Sequence, residues 1–206
     1  MSETQSWGGT IRKLWPTQND KFRDHLLRLD KKARHLRFGH GVSDEFILDY
    51  AARTNLSDSL VWGYFEDAEI HAVAELRKLG EAPVDARWGD EAEAAFSVES
   101  VYQDRGIGSE LMGRVIRAAR NRHITHLFVC CLSENAKMQR IAGNHHAKLS
   151  FEYGEVLGDI IPANSNYATI MGEAMEDRMG FAMAVFDLQK GFFARGAAEK
   201  EDDQAA

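Results

Sequence analysis

Phe96-Ser-Val-Glu-Ser-Val-Tyr-Gln-Asp-Arg-Gly-Ile-Gly-Ser-Glu-Leu-Met (residues 96–112) passes from a strand-like run into an amphipathic helix through two closely spaced glycines. Gly106 and Gly108 bring no Cβ into the turn, so main-chain amides there can converge on one centre. The helix that follows adds the positive end of its dipole, and together they form an anion site suited to phosphate. Leu111, Met112, Val115, Ile116 and Ala119 share one helix face, while Arg114, Arg117, Arg120 and Arg122 lie towards its C-terminal end. Two glycines after a strand also make an ordinary tight turn. Two familiar phosphate loops do not fit: GxxxxGK[ST] is absent, and a dinucleotide loop needs a third glycine where this chain has Leu111. What remains is Gln103-x-x-Gly106-x-Gly108.

Outward from this loop the pattern changes period. Upstream, residues 59–67, 69–80 and 91–100 read as three strands, the first two joined by the polar connection Glu66-Asp67-Ala68-Glu69 and the third preceded by a loop over 81–90. Further upstream, residues 11–16 read as a first strand stopped by Pro16. Asn19 or Asp20 caps a helix bearing Phe22, Leu26, Leu27 and Leu29, and Ser43 starts another bearing Phe46, Ile47 and Tyr50. Downstream come an apolar strand (124–133), a helix (135–146), one or two closing strands (148–161) and a long helix from about Asn164 to Lys190. Strand–loop–helix–strand order requires a crossover. The expected fold is therefore α/β: a mixed, mainly antiparallel central sheet with one parallel pair, helices on both faces and a C-terminal helix. Residues 1–10 form a lead, 11–161 the domain, 162–195 a helical extension, and 196–206 a disordered, fraying tail.

Composition narrows the function. The 206 residues carry 25 Lys plus Arg against 32 Asp plus Glu, a formal charge of −7. That disfavours a dedicated nucleic-acid binder and leans towards a cationic substrate. Basic residues cluster at 31–37 and in the four arginines above, and both clusters read as solvated helix surface. No window approaches the roughly 18 uninterrupted apolar residues of a membrane helix. MSETQSWGGT lacks a secretory signal, and the adjacent Cys130 and Cys131 cannot pair ordinarily, so a cytoplasmic, reduced setting is expected. One cysteine should point to each face of its strand as inert packing. The eight histidines form no HxxxH pair and no CxxC exists, so no metal site is expected. No GxSxG is present for a Ser-His-Asp hydrolase. Met171, Met175, Met179 and Met183 recur every four residues, which reads first as core packing within the chain and second as a homodimer surface.

Gln103-Asp-Arg-Gly-Ile-Gly108, behind a strand and opening a helix, resembles the acyl-CoA pyrophosphate loop of the GNAT N-acetyltransferases. The order of elements is similar too, over about residues 11 to 161. Val61–Asp67 with Ala72–Leu76 looks like that family's second and third strands, and Asn135-Ala-Lys-Met-Gln-Arg-Ile-Ala142 like its second cofactor motif. The resemblance implies acetyl-CoA as cosubstrate, with direct transfer of acetyl to a primary amine on a small molecule, a protein lysine or an N-terminus. Ser97 and Val98 would then offer strand backbone to the pantetheine arm. Gln103, Arg105, Gly106, Ile107, Gly108 and Ser109 would line the pyrophosphate, and Asn135 would touch the CoA arm.

Glu93, ten residues before Gln103, is the expected general base, because protein-acetylating relatives carry a glutamate there in a similar Ala-Glu context. Glu99 is the reserve and Glu75 a third candidate. Many members place a tyrosine seven residues after the motif Asn to protonate the thiolate, and this chain has Ala142. His146, with His145 and Tyr153, is the nearby alternative donor. In this family the first two helices and the last strands build the acceptor pocket. The rival reading is a non-catalytic acyl-CoA-binding sensor that signals through the C-terminal helix.

Overall fold

A computed structural model describes residues 8–54, 59–79 and 88–204, with backbone alone from 188 onward. Most of the expected 81–90 loop and of the lead therefore lies outside the described residues. Strand β1 (Thr10–Lys13) runs into a single 3-10 turn at Pro16–Gln18 and then α1 (Asn19–Arg28). Asn19 does not cap this helix: it is the first helical residue, and its Nδ2 donates to Ala51 O at 3.0 Å. Leu29 leaves helical backbone (φ −59°, ψ 131°). Asp30 then caps a separate α2 (Lys31–Phe38), its Oδ1 accepting from Ala33 N at 2.8 Å. Gly39 at φ +79° closes that helix in the left-handed conformation that glycine adopts without cost. In α3 (Asp44–Arg53), Ser43 Oγ accepts from Phe46 N, with Asp44 and Glu45 at the dipole's positive end.

The strands β2 (Leu60–Glu66), β3 (Glu69–Lys78) and β4 (Glu91–Val98) form an antiparallel meander. The β2–β3 turn holds Asp67 and Ala68 both at positive φ, the mirror-image turn whose twist matches a hairpin. Next come α4 (Ile107–Asn121), β5 (His126–Leu132), α5 (Ala136–Asn144), the hairpin β6 (Lys148–Glu152) and β7 (Glu155–Ile160), and α6 (Tyr167–Gln204). Among the described residues, seven strands lie in the order β1-β2-β3-β4-β5-β7-β6, with β4–β5 the one parallel pair.

Alternation along the strands feeds two cores. Ala92 and Ala94 of β4 and Leu127 and Val129 of β5 pack with Leu111, Met112 and Val115 of α4. On the opposite face, Val61 and Val73 pack with Phe22, Leu26, Ile47 and Ala51 of α1 and α3. Cys130 is exposed and Cys131 buried, one to each face as the alternation requires.

Expectations about the methionine stripe, the arginines of α4 and the extent of the last helix are corrected by α6. Its methionine stripe does not pack within the chain: Met171, Met175, Met179 and Met183 are all exposed. Carboxylates and small residues dock the helix instead. Lys13 Nζ lies 2.7 Å from both Glu173 and Asp177, and Arg12 the same distance from Asp187. Gly180 lets the helix approach Arg12, where an added Cβ would meet the arginine Cβ at 3.1 Å. Nor are the α4 arginines simply solvated, since Arg114 and Arg117 bind Glu176 and Arg122 binds Glu173. The helix begins three residues later than expected and continues through residues 196–204, assigned from the sequence to a fraying tail.

Candidate active site at the parting of two strands

Pairing between β4 and β5 covers only Glu91↔His126, Ala92↔Leu127 and Glu93↔Phe128. Beyond these the strands diverge, although β4 continues to Val98 and β5 to Leu132. The edges of β4 and β5 that face each other are left unpaired along the gap, a groove that suits an extended, amide-bearing ligand. A cleft of about 380 Å³ opens there among the end of β4, the glycine loop, α5 and α2.

Ser97, Val98, Gln103, Gly106, Ile107, Gly108, Ser109 and Asn135 all line this cleft. Arg105 lies outside the lining, with its guanidinium carbon 4.9 Å from the centre of the Tyr102 ring. Gly106 is the N-cap of α4 at φ +83° and supplies no capping side chain, so the helix N-terminal amides face the cleft without a side-chain acceptor. Lys137 and Arg140, which the sequence reading did not single out, also line the cleft and add positive charge. Lys137 is held by Asp104 at 2.7 Å and Gln103 at 2.9 Å. Asn135 Oδ1 caps α5 by accepting from Met138 N at 3.1 Å. Uncapped amides, a loop with glycine at positions 106 and 108, and the cations of Lys137 and Arg140 fit a diphosphate with an amide-bearing arm.

Glu93 occupies the last paired position, where the strands begin to separate. Arg77 Nη2 donates to its Oε1 at 3.0 Å. On the same face, burial first, and then the charges of Glu155 and Glu93, push the Cys130 thiol up. The Asp159 carboxylate is nearby on β7, 3.1 Å from His126. This acidic surface suits a cationic acceptor.

The other candidates fall elsewhere. Glu75 is fully buried and accepts from Arg37 and, at 2.8 Å, from the Tyr50 hydroxyl. Arg37, read from the sequence as helix surface, is itself nearly buried. Burial opposes its charge, yet Glu75 and Tyr50 together more than offset this and raise its pKa. Burial and Glu75 push Tyr50 up to about 12. Glu99 does not line the cleft. It binds His25, His71 and Arg28. Burial works against its charge, but the hydrogen bonds from His25 and His71 hold the carboxyl below its ordinary range.

Ala142 is buried. His146 is exposed at φ +63° beyond α5 and outside the cleft lining, and Tyr153 is exposed in the β6–β7 turn. Of the three alternative donors, His145 is the one that reaches the rim, its Nε2 3.2 Å from Ser109 Oγ and 3.1 Å from Ser109 O. Adjacency in sequence gave no basis for choosing between His145 and His146. Among the described residues no group of three or more His, Cys, Asp or Glu is arranged to hold a metal ion. No described helix is long and apolar enough to cross a membrane.

The chain belongs to the acetyltransferase (GNAT) family, whose model matches residues 24–144. Acetyltransferase Pat of Mycolicibacterium smegmatis is 34% identical over 101 residues, a match that covers 46% of this chain and 27% of that protein. Among solved structures, the GNAT domain of S. lividans PAT superposes with a TM-score of 0.63 at 21% identity, covering 74% of this chain and 90% of that one. A cAMP-binding acyltransferase from Mycobacterium smegmatis gives 0.53 at 22%, covering 84% of this chain and 51% of that one. The yncA protein of Salmonella typhimurium, solved with its cofactor acetyl-CoA, gives 0.55 at 16%, covering 77% and 96%. At these identities the structural likenesses establish the fold.

Proposed function

We propose that the protein transfers acetyl from acetyl-CoA to a primary amine by direct attack, with Glu93 as general base. The observation that carries this reading is the position of Glu93 at the apex of the parting, whose cleft is lined by the glycine loop. Acetyl-CoA supplies an activated thioester. The first-turn amides of α4 bind its diphosphate, and Lys137 and Arg140 add charge at the rim. The open edge of β4 from Ala94 to Val98 pairs with the pantetheine amides, as a strand would.

Glu91, Glu93 and Glu155 draw a protonated amine to the outer side of the sheet. Glu93 takes the ammonium proton, directly or through one water, and Arg77 holds the carboxylate in place. The nitrogen attacks, the C–S bond breaks, and the thiolate takes up a proton. The acidic approach and the Ala-Glu context favour a lysine or N-terminal amine carried on a protein.

Ala142 favours a second reading, a sensor that binds acetyl-CoA without turnover. Thermal shift with acetyl-CoA, with NAD as the control nucleotide, tests the cofactor. Amine-dependent release of CoA thiol separates enzyme from sensor. A shift without amine-dependent release would leave the sensor, and no shift would remove both readings.

A further inference from the structure

A histidine distant in sequence meets two neighbouring residues, Ser97 and Glu99, at the cleft-facing end of β4. His25, from α1, has no exposed surface. Its Nε2 lies 2.9 Å from Ser97 Oγ and its Nδ1 lies 3.1 Å from Glu99 Oε1. Ser97 lines the cleft. Glu99 is fixed from two further sides, by Arg28 Nε at 3.1 Å and His71 Nδ1 at 2.9 Å.

The proton inventory sets the direction of these bonds. An ionised Glu99 can only accept, so Nδ1 of His25 carries the hydrogen. Nε2 of the neutral ring is then an acceptor, and the Ser97 hydroxyl must donate to it. Burial keeps the ring neutral by lowering its pKa, and the nearby charges of Arg28 and His71 act in the same direction. A hydroxyl donating to a neutral imidazole whose other nitrogen is oriented by a carboxylate is the arrangement of an activated nucleophile. The same inventory excludes Ser97 as proton source for the thiolate, because His25 has no proton on Nε2 to pass through it.

We infer that Ser97, His25 and Glu99 form an acyl-accepting triad, giving the protein an amine-independent acyl-CoA hydrolase activity through an O-acetyl-Ser97 intermediate. This rests on the reading that acetyl-CoA binds in the cleft. Ser97 Oγ attacks the thioester carbonyl as its proton passes to His25 Nε2. The C–S bond breaks with its electron pair on sulfur, which takes the proton back from His25 and leaves as free CoA. Water then attacks the new ester, His25 taking one proton and returning it to Ser97 Oγ, and acetic acid departs and loses its remaining proton to solvent as acetate. Glu99 is the positioning residue.

The test incubates the full chain with acetyl-CoA and no amine, following free thiol and mapping acetylated peptides after acid quench. Thermal shift with acetyl-CoA is recorded in parallel on every variant. The wild type should release thiol, and Ser97→Ala should lower that release on the order of 100-fold while keeping its shift. Glu99→Gln should slow release with its shift intact, and serves should Ser97→Ala fail to fold. Release by either variant at the wild-type rate, acetyl on Cys130 in place of Ser97, or a wild type that shifts yet releases no thiol would overturn the inference. Absence of any wild-type shift would instead sink the cofactor reading, and the triad with it.

Discussion

Arg77 and Glu93 stand directly opposite each other on β3 and β4, and the guanidinium donates to the carboxylate at 3.0 Å. The same Arg77 donates through Nη1 to the Tyr50 hydroxyl at 3.1 Å, so the apex carboxylate is tied to the buried Glu75–Arg37 cluster. Glu93→Gln keeps the shape and removes the base. It should lower kcat/KM for amine acetylation by on the order of 100-fold or more while the thermal shift with acetyl-CoA persists. Unchanged transfer across the pH range would exclude Glu93.

The glycine loop makes a graded prediction. Gly106 sits at φ +83°, so Gly106→Ala costs about 1–2 kcal/mol of backbone strain at the turn that opens α4. At Gly108 an added Cβ would meet Ile141 Cδ1 at 3.1 Å, the tip of a side chain that can move. Gly108→Ala should therefore fold better than Gly106→Ala. Both should weaken acetyl-CoA binding by calorimetry.

The buried cluster should control stability. Glu75→Ala strands the Arg37 guanidinium without its counter-charge and should cost about 3–5 kcal/mol. Tyr50→Phe removes one hydroxyl shared by Arg37, Arg77 and Glu75, at about 1–3 kcal/mol. Urea midpoints measure both, and the order Glu75→Ala worse than Tyr50→Phe is the point at risk.

Acid should loosen α6 in a defined window. Hydrogen bonds from Arg122, Lys13 and Asn121 outweigh burial and lower Glu173 from 4.5 to about 2. The unfolded chain therefore takes up the proton first. The stabilisation is complete above pH 4.5 and drains away as pH falls towards 2, about 2 kcal/mol in all after allowing for solvent screening. Trp15, edge-on to Phe181 with ring centres 5.3 Å apart, is a fluorescent reporter of this docking. Glu173→Gln should abolish the transition in that window.

A separate loss should begin higher. His25 titrates below its ordinary 6.5 when folded, so stability is present above that pH and falls as the unfolded chain protonates below it. Burial is the main cause of the lowering; Glu99 draws the ring towards charge, and Arg28 and His71 oppose it. A stability curve flat from pH 7.5 to 5 would contradict this.

The parts of this fold that could be read in the sequence are those governed by local rules. Alternation in 59–80 and 91–98, the Ser43 cap and the Gln-x-x-Gly-x-Gly turn each act within a few residues, and the crossover then requires a parallel pair. The break at Leu29-Asp30 was missed because the apolar spacing of α1 masks a cap that competes with helix continuation. The methionine stripe misled because period alone marks a face without saying what it meets, and Glu173, Glu176, Asp177 and Asp187 settled the docking through ion pairs with distant strands and helices. His25 was invisible as a site residue, since 72 positions separate it from the Ser97 it touches. No spacing rule reports a contact of that range.

The separation of β4 from β5 has one more implication. A ligand held in that gap is gripped by peptide groups, which every residue type possesses and proline alone cannot fully supply. If the acyl donor binds there as proposed, substitutions along these two strands can accumulate without dislodging it, provided no proline enters. Changes on the outward faces are free to alter which amine is admitted. The donor end of such a protein is inherited with its backbone, and its preference for an acceptor is open to rapid revision.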